Sequence, residues 1–216
     1  RTSPRPCSDG VYCQAGLAID CNLGSFCVAG VSALCPAGTL GEATALSSAN
    51  CSGPCPAGAW CGNGSTAPTQ CDAGTYRGAA GGASAADCDA TPPGYYTSEG
   101  SAAPTACGGP SLYCPGGEGQ PRTVSDGSET FTNASLAGAP ADLDDTAPRT
   151  SPRPCSDGVY CQAGLAIDCN LGSLCVGGLR PSCAPGPYQD QPGATACQPC
   201  PAGSFVTAGA TAHVLC

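Results

Sequence analysis

CPAGAWCGNGSTAPTQCDAGTY, residues 55–76, opens twice on one pattern: a cysteine, a glycine three residues on, and a large apolar residue two beyond that. Written C-x-x-G-x-Φ, with Φ aromatic or Leu, the pattern starts at Cys7, Cys21, Cys35, Cys55 and Cys71, and again at Cys155, Cys169, Cys183 and Cys200. Seven of the eleven aromatic residues occupy Φ, namely Tyr12, Phe26, Trp60, Tyr76, Tyr160, Tyr188 and Phe205, so the pattern is a structural unit. The glycine, often behind Pro-Ala as at Pro36 and Ala37, suits a tight turn with positive φ. The ring then falls beside a half-cystine, the largest burial so thin a unit can make. The starts at Cys7, Cys21 and Cys35 are fourteen residues apart, enough for a two-stranded turn and too few for a helix pair. The expected fold is therefore small disulfide-rich modules in tandem, short β-hairpins and irregular loops with little helix, stacked as an elongated rod without a large core.

A longer repetition encloses this one. Residues 1–25, RTSPRPCSDGVYCQAGLAIDCNLGS, recur unchanged at 149–173. Repetition at a fixed offset marks an array of self-similar parts.

Composition agrees. Twenty cysteines in 216 residues fall in the range of a disulfide scaffold, and the even number permits full pairing. Such a chain belongs in an oxidising, extracellular space. It opens on Arg1 with no apolar leader, which reads as a processed or excised piece. No apolar run is long enough for a direct membrane span. Sixteen acids oppose seven arginines with no lysine, giving a net charge of −9, so nucleic acid and anionic membrane surfaces are poor partners.

Three segments are expected: cysteine-rich modules over 1–114, a Ser/Thr/Pro/Asp-rich linker without cysteine over 115–154, and a second, incomplete set of modules over 155–216. A short strand near Thr130–Leu136 fits within the linker. Aligning the copies matches Cys7, Cys13, Cys21, Cys27 and Cys35 with Cys155, Cys161, Cys169, Cys175 and Cys183, and Cys51, Cys55 and Cys71 with Cys197, Cys200 and Cys216. Cys61 has no counterpart, because Val206 stands there. Parity then predicts that the eight matched cysteines close among themselves, leaving Cys61, Cys88, Cys107 and Cys114 to form two further bridges.

No catalytic constellation emerges. A single C-x-x-C (Cys197, Cys200) and a single histidine, His213, fall short of a zinc module, and nothing around the pair resembles a redox βαβ unit. Asp142, Asp144 and Asp145 lack the glycine and terminal glutamate of a calcium loop. The reading is of a protein that is no enzyme and carries no cofactor beyond covalent glycans. Asn63 and Asn133 head N-glycosylation sequons, and Asn50 heads a poorer one with a cysteine in its middle. The Pro-spaced runs offer Ser3, Pro4, Pro6, Pro148, Ser151, Pro152 and Pro154 for O-linked sugar or proline modification.

The signature C-P-A-G-x-[YFW] followed by C-x-x-G-[ST]-x-x-P-[TS], present from Cys55 to Tyr76, resembles the cysteine-rich ephrin-receptor-like repeats, which are related in style to EGF-like modules. It is similar above all to the long cysteine-rich surface proteins of algae and protists of the mastigoneme type. The resemblance covers roughly residues 7–114 and 155–216. It implies an extended, glycosylated structural protein that self-associates into a filament at the cell or flagellar surface, with a Pro- or hydroxyproline-rich chain as partner. The alternative is a cysteine-rich receptor ectodomain whose modules bind a ligand.

Overall fold

The computed structural model describes residues 7–132 and 149–215. Every sheet is a pair of antiparallel strands, most of them two residues long, and the only helical element among the described residues is a single 3-10 turn at Ala85–Asp87. The fold is thus a tandem array of small disulfide-stapled hairpins. The chain divides into two units: one runs to Pro92 and adds Tyr96–Thr105 and Gly116–Gln120, and the other comprises Pro93–Tyr95, Ala106–Pro115 and Pro121 onward.

Two four-residue-strand hairpins lie in the duplicated stretch. Val11–Gln14 pairs with Leu17–Asp20, and Val159–Gln162 with Leu165–Asp168, in the same register. Both close through a two-residue Ala-Gly turn with positive φ at each position, 52° and 83° at Ala15 and Gly16. That conformation matches the right-handed strand twist, so two residues suffice to reverse the chain.

Nine disulfides hold the modules among the described residues, and their spacing follows one local rule. Where a cysteine directly follows Φ, the module's first cysteine bridges to it: Cys7–Cys13, Cys21–Cys27, Cys55–Cys61, Cys155–Cys161 and Cys169–Cys175 all span six residues. Cys107–Cys114 spans seven, its turn holding one extra residue. Where Gly41, Arg77 or Gln189 follows Φ instead, the first cysteine reaches the one ahead of the return strand, giving Cys35–Cys51, Cys71–Cys88 and Cys183–Cys197. This overturns the parity expectation. Cys61 and Cys88 pair with Cys55 and Cys71, because the turn between them already brings the Cα atoms to 5.7 and 5.8 Å.

Three further modules begin at Thr91, Cys107 and Val124, each with a turn and a strand pair of its own, so the pattern extends beyond cysteine at Thr91 and Val124. The stretch read as a linker therefore contributes Arg122–Thr123, Ser128–Thr132 and Arg149–Pro154 to paired strands, while 133–148 lie outside the described residues. In the module from Val124 the Φ place is taken by Glu129, buried and ion-paired with Arg153 directly across the strands. Arg149 is fully buried, its Nη1 donating to the carbonyl and hydroxyl of Thr130 at 2.9 and 3.1 Å.

The interior consists chiefly of sulfur. Cys21, Cys27, Cys35, Cys55, Cys61, Cys114 and Cys175 are wholly buried, and Leu40, Cys55, Ala59 and Cys61 form an apolar cluster. The aromatic Φ rings, expected as minimal core, are half-buried, and Phe205 is exposed. Cystines, with their short side chains, are what a two-stranded module can enclose completely.

Candidate interaction surface

The repeated chemistry of this chain is in its backbone, at the joints between modules. In the module starting at Cys55, the turn glycine Gly58 accepts from the N–H of Cys71, the first residue of the next module (2.9 Å), and donates to the carbonyl of Arg77, which follows the next Φ (2.8 Å). The N–H of Cys61 in turn donates to Gly82, and Trp60 bridges to Gly82 in parallel. The same relation joins Gly10 to Cys21 and Cys27, Gly38 to Cys55 and Cys61, and, in the other unit, Gly158 to Cys169 and Cys175. Each joint is a short ladder, so a module satisfies its polar backbone only by means of its neighbours.

Contact extends one module further. A Cβ on Gly58 would stand 2.2 Å from the carbonyl oxygen of Gly100, two modules on, and one on Gly172 would stand 2.2 Å from that of Gly209. Both glycines have positive φ, 80° and 74°. Backbone therefore rests on backbone, and only glycine fits. Gly186 and Gly203, which have no such covering loop, are exposed.

The sequence-derived sites distribute as follows. Asn63 is exposed, with its Oδ1 accepting the N–H of Ala37 at 2.8 Å, which leaves the amide nitrogen outward. Asn50 is exposed beside bridged Cys51, and the sequon hydroxyl of Ser52 accepts the N–H of Glu42 at 3.1 Å. Asn133, Ser3, Pro4, Pro6, Pro148, the acidic trio Asp142, Asp144 and Asp145, and Cys216 lie outside the described residues. Ser151, Pro152 and Pro154 belong to a paired strand, with both prolines exposed and Ser151 half-buried.

Cys200 is the one described cysteine without a bridge. Val206 follows its Φ, and His213 stands three residues before Cys216, where a return-strand cysteine is found in the preceding module. His213 packs edge-on against Tyr188 with centroids 5.3 Å apart. No three His, Cys, Asp or Glu side chains among the described residues are grouped as a metal site.

One shallow depression of about 220 Å³ is lined by Asp126, Tyr160, Gln162, Leu179 and Arg180. The guanidinium of Arg180 covers the Tyr160 ring at 4.6 Å from its centroid. The aromatic face is thus already occupied from within.

The disulfide density is that of a secreted or extracellular protein. No helix among the described residues is long and apolar enough to cross a membrane. No protein-family model matches the chain, and no relative was found among the curated proteins.

Proposed function

We propose that this chain is a structural, non-enzymatic segment of an extracellular glycosylated filament or flagellar appendage of the mastigoneme type. The observation that carries the reading is the joint: turn glycines such as Gly10, Gly38, Gly58, Gly158 and Gly172 are hydrogen-bonded by the modules that follow them, and Gly58 and Gly172 are covered by them as well. An array made this way lengthens by adding like units, and the unchanged duplication of 25 residues adds such units. A binding site needs only one copy. The exposed Asn63 supplies a place for sugar without disturbing a joint, since its oxygen and not its nitrogen is engaged.

The alternative is a ligand-binding ectodomain, favoured by the depression around Tyr160 and Arg180. Arg180 over the ring weakens that reading, because a ligand would first have to displace it.

The test is an antibody raised against 55–76, applied to intact source cells, with glycopeptide mass spectrometry on the captured material. Labelling along surface fibres with hexose-bearing Asn63 supports the proposal. Label confined to the cell interior, or on dispersed monomers, opposes it.

A further inference from the structure

Three consecutive modules converge on the depression beside Tyr160, and the joints between them place a polar side chain from each. Gly127 N–H donates to the carbonyl of Cys161 (3.3 Å), which sets Asp126 beside the strand Val159–Gln162. In that strand Tyr160 and Gln162 are two residues apart and so share a face. Tyr160 bridges in parallel to Gly178, two residues before Arg180, whose guanidinium lies on the ring.

Asp126 is released from a structural task that its counterparts perform. In the turns Ser8-Asp9-Gly10 and Ser156-Asp157-Gly158 the aspartate accepts an N–H from the hairpin turn of the next module, Asp9 from Ala29 at 2.9 Å and Asp157 from Gly177 at 3.1 Å. The donor in that place for Asp126 is Ala163, and no such bond is made; Asp126 is exposed and lines the depression. Arg180 is likewise particular to this place, since its counterpart 148 residues earlier, in the module that follows Tyr12, is Ser32. A carboxylate and a guanidinium thus face one depression of about 220 Å³ without an ion pair between them. An anion there is repelled by Asp126 and a cation by Arg180, and the net charge of −9 further disfavours anions. Sugar hydroxyls suit both groups, because each hydroxyl donates to the one and accepts from the other, and the amide of Gln162 does either. The volume is below the ~300–1,000 Å³ of pockets that enclose a small molecule, so it suits one ring of a chain that continues into solvent.

We propose that this depression binds a neutral saccharide, one sugar ring of an oligosaccharide held between Asp126, Gln162 and Arg180. Its hydroxyls donate to the Asp126 carboxylate and accept from the N–H groups of Arg180 and Gln162. A ligand that stacked on Tyr160 would have to displace Arg180, whereas one that meets the outer edge of the guanidinium leaves it in place. The ring then serves to hold the planar guanidinium with its N–H edge open. The site is independent of the filament reading, since a filament segment and an ectodomain can both carry it.

The experiment is binding of the whole, unreduced chain to an array of neutral N-glycan-type oligosaccharides, neutral polysaccharide fragments, and sulfated and uronate oligosaccharides, with free glycine titrated separately as a zwitterion. Arg180→Ser and Asp126→Asn, both at exposed positions, are checked for their nine bridges by mass spectrometry. Neutral sugars are expected to bind, about tenfold or more weakly in Arg180→Ser and about threefold or more weakly in Asp126→Asn, which keeps an acceptor but loses its charge. The neutral arm that binds gives the source, a glycoprotein or a separate polysaccharide. Binding of sulfated or uronate sugars that tightens in Asp126→Asn makes this an anion site and overturns the proposal. Binding of glycine alone, neutral-sugar binding unchanged in both variants, or no binding at all overturns it too. None of these outcomes touches the filament reading, which imaging of native material decides separately.

Discussion

The hydroxyl of Thr91 is hydrogen-bonded to that of Thr97, both buried, in the two positions that Cys55 and Cys61 occupy in their own module. A disulfide has been replaced by a hydrogen bond with the joint preserved, since Thr97 N–H still donates to Glu118 and Gly74 N–H still donates to Thr97. The bridge is thus one way of closing the turn, and the backbone joint persists without it.

Replacing both threonines with cysteine should therefore close a six-residue bridge and stabilise the folded chain by about 2 kcal/mol, the loop-closure value for so short a ring. Thr97→Val alone leaves Thr91 without its buried partner and should cost about 1–2 kcal/mol. Thermal unfolding of the variants checks both signs.

The two kinds of turn glycine separate steric contact from backbone conformation. Gly58 and Gly203 have nearly equal φ, 80° and 81°, yet a Cβ at Gly58 meets Gly100 while one at Gly203 meets nothing within 4 Å. Gly203→Ala should cost about 1 kcal/mol for the left-handed backbone, and Gly58→Ala a further 1–3 kcal/mol for overpacking. Equal losses in denaturant titrations would contradict the covering contact.

Alkylation of the unreduced protein should label Cys200 and none of the eighteen cysteines in the nine bridges. Val206→Cys places a thiol directly after Φ, as at Cys61, and should abolish the label by closing a bridge to Cys200. Persistent labelling of Cys200 in that variant would refute the local pairing rule.

Asp87 provides the pH-sensitive element. Its carboxylate accepts the N–H groups of Ala83 and Ser84 at 2.7 and 3.0 Å, which hold its pKa below the ordinary carboxylate range, aided by Arg77. A depressed pKa contributes stability above the unfolded value that is lost as pH falls through the folded one. Amide exchange at Ala83 and Ser84, corrected for intrinsic rates, should speed up only on that acid descent. In Asp87→Asn it should be fast throughout.

Much of this architecture was legible in the sequence because the turn needs glycine and the staple needs sulfur, both visible as letters. The modules at Thr91 and Val124 lack the opening cysteine that makes the others visible in the sequence. Their turns were nonetheless readable, since Pro92-Pro93-Gly94-Tyr95-Tyr96 keeps G-x-Φ, and Ser125-Asp126-Gly127 repeats the Ser8-Asp9-Gly10 and Ser156-Asp157-Gly158 turns. Pairing was misread by parity across copies, whereas it is decided by one residue, the one after Φ. Beyond the turn glycine itself the joints leave no sequence signal, because they are made by N–H and C=O groups that every module possesses.

The most direct measurement is electron microscopy of the native material. The account predicts fibres with a regular repeat along their length and sugar density at Asn63. Dispersed compact particles, without sugar and with a ligand held beside Tyr160, would contradict it.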